Sequence, residues 1–395
     1  MLRLSAPSWA LGGFFATLAL SCAALRSLAG TNTVDLEGAD LRSMGVDIRR
    51  QEKTICPRER VQMAVFADVV LKGDAQPKKL ETWAGAPGVN KNGKLSFEDF
   101  AFHSEQGSFD ADGWFTPNRD LLATVDKELS LKTVFKRRPD KFSFTTSYKP
   151  DYRCMKGAGR AGGSGPSGGS GATGNAGQSG ASGSATAAGG AGSDGAPGSP
   201  GGNGGQGEPG PKLVAYVTYV KTAFYERLIA VRIEGSDADL VLAHPEGKLT
   251  LLARGGDGGR GGDGGGGGSG GPGGSGNPAG SGGNGAQGGA GGSGGGGGAG
   301  GSIELVFDER FPDLQSHIQL DAGGGSAGGS GRGGTGGSAG HGGSGSAAAG
   351  YGRDGTQGQP GADGASGSAG PKGSAVARAG NASEKFQGLA GITVR

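Results

Sequence analysis

Three stretches of this chain hold glycine in a strict three-residue frame. Stepping by three from Gly159 to Gly210 meets glycine at 17 of 18 positions, with Thr186 the exception. The same step gives 15 of 16 from Gly255 to Gly300, broken at Ala279, and 15 of 17 from Gly325 to Gly373, broken at Ser346 and Ala349. A flexible linker has no physical reason to keep such a frame. Period three is the repeat of the polyproline-II helix, in which one residue in three faces the same side. Glycine confined to one side means that another backbone comes close there. Each ordered glycine also loses more backbone entropy than any other residue. With 93 glycines in 395 residues, an ordinary packed core along the whole chain is excluded.

Two segments, "GAPGSPGGNGGQGEPGPK" (195–212) and "GRDGTQGQPGADGASGSAGPKGSA" (352–375), are uninterrupted Gly-X-Y triplets. They resemble bacterial collagen-like surface proteins. Elsewhere the frame is mostly Gly-Gly-X with little proline. That pattern resembles PE-PGRS-type surface proteins and glycine-rich antifreeze or adhesin domains, although no PE-type amino-terminal domain is present. Taken with the export signal described below, the resemblance is to a bacterial glycine-rich, collagen-like surface lipoprotein. It implies bundles of polyglycine-II helices joined by backbone and Cα–H···O contacts.

Between the arrays lie short strand-like runs: "LVAYVTYV", "LIAVRI", "KLTLLAR", "SIELVF", "HIQLDA" and the terminal "ITVR". The intervals that hold them are too small to fold alone, so their strands are expected to share one sheet or mixed layer. The middle array, extended as polyproline II, would span about 145 Å and carry Ile303 far from Leu251. It is therefore expected to fold back on itself, with "GSATAAGG", "GNPAGS" and "GSAAAGYG" as the reversal points. The alternatives are a flexible loop and, less favoured, trimerisation as a collagen helix.

Residues 31–155 have a different character. "TVDLEG", "VQMAVFADVVL", "FEDFAFHS", "LSLKTVFKR" and "KFSFTTSY" alternate or carry β-branched and aromatic runs, separated by turn clusters such as "GAPGVNKNGK", "DADG" and "RRPDK". A β-sandwich fits this length, and "ICPRERVQMAVFADVVL" resembles an early strand pair of an immunoglobulin-like domain. The expected fold class is thus mainly β. A β-sandwich is followed by short strands interleaved with three glycine arrays, with no substantial helix beyond the signal peptide. The expected divisions are 1–21 (signal), 31–155 (sandwich), 156–212 (array), 213–254 (strands), 255–301 (array), 302–322 (strands), 323–380 (array) and 381–395 (terminal strand).

The first residues carry Arg3 and the apolar run "WALGGFFATLAL", too short to span a bilayer and typical of an export signal. "ALSC" resembles a bacterial lipoprotein box and makes Cys22 the expected lipid attachment site. The alternative is ordinary cleavage after Ala29, with Cys22 discarded. Cys56 and Cys154 remain, and two cysteines in an exported chain are expected to pair. Their bridge would close a loop of about 100 residues, stabilising by roughly 4–5 kcal/mol on a chain-entropy basis.

The best candidate for bound chemistry is "GVNKNGKLSFEDF", which resembles an EF-hand calcium loop from its third position onward. The resemblance implies oxygens from Asn90 and Asn92, the Lys94 carbonyl, Ser96 through water, and Asp99 as the closing carboxylate. Gly88 stands where the opening aspartate belongs, so any calcium site is weak; Asp110 and Asp112 would add oxygens if their loop converges on it. The alternative is a pair of polar β-turns. His103, His244, His317 and His341 share no metal-like spacing. No nucleophile elbow or Walker loop is present, and no catalytic residues or cofactors other than calcium are expected. A net charge of +2 gives no reason to expect a nucleic-acid partner.

The export signal and the resemblance to glycine-rich surface lipoproteins imply a non-enzymatic cell-envelope lipoprotein. Its expected role is structural, adhesive or in matrix contact, at the outer membrane or cell surface, with polysaccharide or surface-protein contacts. The alternative is a glycan- or protein-binding sandwich, weakly calcium-dependent, displayed on glycine-rich spacers.

Overall fold

The computed structural model describes residues 33–48, 52–82, 93–235, 237–346 and 350–395. The described residues are mainly β, with one four-residue α-helix among them, Leu314–His317. No helix among the described residues is long and apolar enough to cross a membrane. The chain divides into two compact units, one of 1–119 with 127–150 and one of 120–126 with 151–395. Cys56 and Cys154 are disulfide-bonded, as expected.

The first unit contains two sheets. One has the order β1 (Asp40–Ile48), β3 (Val61–Val70), β7 (Trp114–Pro117) and β6 (Gly107–Phe109), with β4 (Lys78–Glu81) also on β3. The other runs β2 (Thr54–Ile55), β9 (Ser143–Pro150), β8 (Leu129–Phe135), β5 (Phe100–His103). Their inner faces share cores. Val65, Val69 and Leu80 pack with Phe100 and Phe135, and Met63 and Phe115 pack with Leu131 and Tyr148. Strand β1, "DLRSMGVDI", escaped the sequence reading because its polar residues hide the alternation. The run expected as an early strand pair becomes β2 and β3, which lie in different sheets.

In the second unit each glycine array is a hairpin of two polyproline-II-like helices. Helices A (162–183) and B (189–210) come from the first array, C (255–276) and D (280–301) from the second, E (324–345) and F (352–373) from the third. Each is about 68 Å long at roughly 3.1 Å per residue. The chain reverses at Ser184–Ala187, at the cis Asn277–Pro278 bond, and by Gly350, within the three segments marked in the sequence.

The hairpins are stitched by backbone hydrogen bonds repeating every three residues. A donates to C from Gly162 N–H to Arg254 C=O (2.8 Å), then Gly165 to Asp257, onward to Gly183 and Ser275. In the same way C donates to E, B to D and D to F, all parallel. Antiparallel bonds join A with B, B with C, C with D, D with E and E with F. The result is two layers, A–C–E and B–D–F.

The strands continue these layers. Parallel strands β10 (Gly157–Gly159), β14 (Leu249–Leu252) and β16 (Ile318–Asp321) form a three-stranded sheet and lead into A, C and E. Helices B, D and F lead into β11 (Lys212–Lys221), β15 (Ser302–Asp308) and β17 (Ser374–Gly380), which run parallel in a six-stranded sheet completed by β12 (Leu228–Glu234), β13 (Asp239–Ala243) and β18 (Thr393–Val394). The unit is a three-coil solenoid, each coil running strand, helix, helix, strand. The shared single sheet expected from the sequence is instead two sheets, because each hairpin leaves from one and returns to the other. Leu251 and Ile303 accordingly sit in different sheets.

Candidate functional site

The bundle shows why its arrays differ in composition. Helices A and F each bond to two neighbours, B and E to three, and C and D to four. Wherever a neighbour's backbone arrives, a Cβ would fall far inside van der Waals contact: at Gly262 against the Gly169 carbonyl, at Gly261 against that of Gly292. The four-neighbour helices C and D therefore carry two glycines in most triplets, while the corner helices need only one row. The collagen-like segment 195–212 is helix B from Gly195 onward and 352–375 is helix F, each with the two residues that follow, lying within a single chain's bundle.

Two outward faces remain. On the A–C–E face, helix C contributes Asp257, Arg260 and Asp263, with Arg254 just before it, flanked by hydroxyls; one level is Thr173, Gly266, Thr335. On the B–D–F face the levels follow a chain of hydrogen bonds. Asp194 Oδ1 accepts the Asn284 N–H (2.6 Å), and Asn284 Oδ1 accepts the Thr356 N–H (2.9 Å). Beyond that level the rows run Pro197–Gln287–Gln359, Pro200–Ala290–Ala362 and Asn203–Ser293–Ala365, ending at Pro209–Ala299–Pro371. These outward positions carry no charge. Levels repeat about every 9.3 Å, three residues of polyproline-II rise.

Spaced carboxylates and amides act as interhelix clamps. In each triplet one N–H of helices B, C and D, and two of A, E and F, are left without a backbone partner, and an Asp, Asn or Glu on the neighbouring helix accepts several of them. Asp257 bonds Ser326 (2.7 Å), Asp263 bonds Arg332 (2.8 Å), Asn203 bonds Ser293 (2.9 Å), and Asp354 bonds Gly342 (2.7 Å). The Ser326 N–H beside it holds the Asp257 carboxyl below the usual carboxylate range. In the sequence, Asp257, Arg260 and Asp263 stand out only as charges of alternating sign at one position of successive triplets. The signal available was an Asp or Asn recurring in the outward row of a glycine frame.

Of the expected calcium ligands, Asn90 and Asn92 lie outside the described residues. The Lys94 carbonyl accepts the Val34 N–H (2.9 Å), and Ser96 Oγ accepts the Glu98 N–H (3.2 Å) to cap a short 3₁₀ turn. Asp99 lies 3.4 Å from Arg137; its burial raises its pKa, against the pull of that guanidinium. Asp110 Oδ1 accepts the Asp112 and Trp114 N–H groups within its own turn. Lys94, Ser96 and Asp112 do line a common depression of about 170 Å³. No cluster of three or more His, Cys, Asp or Glu residues placed to hold a metal occurs among the described residues. The histidines stay dispersed, with His341 3.7 Å from Asp354 and His244 accepting from the Glu246 N–H. Cys22 lies outside the described residues.

No family model and no curated protein matches the chain. Among solved structures, the chain is similar in part to the springtail antifreeze protein of Granisotoma rainieri, a nine polyproline type II helical bundle whose crystal waters are described as matching the ice lattice. The two are 27% identical, and the match covers 51% of this chain and 97% of that one. The TM-score is 0.09, too low to transfer fold or function.

Proposed function

We propose that the chain is a non-enzymatic envelope lipoprotein, anchored through Cys22, whose bundle meets a neighbouring surface in a structural, adhesive or matrix-contact role. The observation that supports this reading is the uncharged part of the B–D–F face. Its small side chains are held in fixed rows by backbone bonds, so contact costs little ordering entropy. Depletion of charge is also what the centre of a contact surface requires. Such a face suits a regular, rigid partner, either crystalline polysaccharide or ice, better than a flexible ligand. The test is co-sedimentation of the purified chain with peptidoglycan sacculi, crystalline chitin and cellulose, alongside partition into growing ice. Binding to one of these solids, lost on Ala290→Lys and kept on Ser167→Lys of the opposite face, is expected. Equal loss with both variants, or binding to none of the solids, refutes the contact role. Palmitate labelling abolished by Cys22→Ser tests the anchor separately.

The second reading is a weakly calcium-dependent binding module in the first unit, favoured by the depression that Lys94 and Ser96 share with Asp112. Calorimetric titration with calcium, compared with Asp112→Asn, tests it. Absence of calcium-dependent heat removes it.

A further inference from the structure

We infer that the outer edge of β17 is a self-association site, where a second copy adds its own β17 antiparallel to complete a continuous sheet across two molecules. Besides the two-residue β18, which pairs only with β11, the six-stranded sheet has two edge strands, β13 and β17. In β13, Val241 and Leu242 are fully buried. In β17, Val376 is 57% exposed, and most of the strand is exposed with it. A straight, uncovered edge is a template for another strand, and edges that must stay free are usually bent or charged. Strand β17 pairs with β15 through an unbroken register from Ser302–Ser374 to Asp308–Gly380, and it contains no proline. Its one charge, Arg378, is held by Glu304 at 2.8 Å.

The register of the association follows from which backbone groups are free. Ser374 donates to the Gly301 carbonyl and Gly380 accepts from Glu309, so the even-numbered residues of β17 bond toward β15. The odd-numbered residues Ala375, Ala377 and Ala379 present their N–H and C=O groups outward. A two-fold axis at Ala377 sets Ala377 against its own copy and Ala375 against Ala379, so every outward group finds a partner. The same register places Val376 against the aliphatic stem of Arg378, and like charges never oppose each other. Head-to-tail growth is blocked, because the first coil's strand β11 is already paired with β12.

The test uses the full chain with Cys22→Ser, examined by sedimentation over a micromolar concentration series. A reversible dimer is expected. Ala377→Pro removes only an outward N–H and should weaken the dimer by about tenfold or more, the worth of one or two net hydrogen bonds. In the same background, Ala377→Cys should oxidise to a covalent dimer, since directly opposed hydrogen-bonded residues lie about 5.5 Å apart at Cα. Ala375→Cys and Ala379→Cys should cross-link when mixed but not singly. A monomer at every concentration overturns the inference, as does a dimer with Ala375→Cys linking to itself as readily as Ala377→Cys. Should Ala377→Pro fail to fold, the cysteine series decides.

Discussion

The carboxylate of Asp257 in helix C accepts the backbone N–H of Ser326 in helix E at 2.7 Å. A side chain thus closes a bond that the backbones of the two helices cannot close between themselves. Asp257→Ala should expose that amide while leaving its neighbour Gly325, bonded to the Gly298 carbonyl, untouched. Hydrogen exchange read residue by residue should show Ser326 protection lost and Gly325 protection kept. Loss at both would mean that the carboxylate holds the whole helix rather than one N–H.

The glycine rows can be tested in pairs. At Gly262 a Cβ would strike the Gly169 carbonyl, whereas at Gly266 the nearest atoms are Thr335 Oγ1 at 3.4 Å and Thr173 Cγ2 at 3.6 Å. Gly262→Ala should destabilise by about 1–3 kcal/mol through overpacking. Gly266→Ala should be neutral or stabilising by up to about 1 kcal/mol, because alanine narrows the unfolded ensemble. Thermal melts followed by the polyproline-II circular dichroism band compare the two. Equal melting temperatures would mean that the glycine rows are not set by close packing.

Leu251 is fully buried in β14, between β10 and β16, at the foot of helices A, C and E. Leu251→Ala should cost about 2–5 kcal/mol. Because strands and helices share one register, amide protection should fall along helix C as well as in the sheet. Protection lost in the sheet alone would mean that the sheet and the helices above it unfold independently.

The buried Asp308 carboxylate accepts from Thr218 Oγ1 (2.6 Å) and Arg310 Nη2 (2.7 Å). Burial works to raise its pKa, but these hydrogen bonds outweigh it and hold the group below its ordinary value. Its contribution is therefore complete above the unfolded carboxyl pKa of about 3.9, and is lost as pH falls through the lower folded value. Asp308→Asn should be less stable than the parent at neutral pH, and the gap should close in acid. Urea unfolding at neutral pH and at about pH 3 measures it. A gap that is constant with pH would show that Asp308 acts by shape rather than by charge.

Much of the bundle was legible because a period-three glycine row can be explained only by a backbone packed against it. The three reversal segments and the disulfide between Cys56 and Cys154 were legible on the same local grounds. Strand β1 was not, since its buried residues are spaced among polar ones whose neighbours come from elsewhere in the chain. The glycine frame by itself pointed to polyproline-II geometry with a backbone close to one side, and the hydrogen bonds between hairpins decided that the neighbours are helices of the same chain. Which helix meets which was decided only in three dimensions. The parallel strands at the foot of the bundle set the register, and the number of neighbours sets how many rows must be glycine. Asp257 shows the difference most plainly. Its place in the triplet was readable, but its partner, Ser326, is 69 residues away and adjacent only because β14 and β16 align the helices above them.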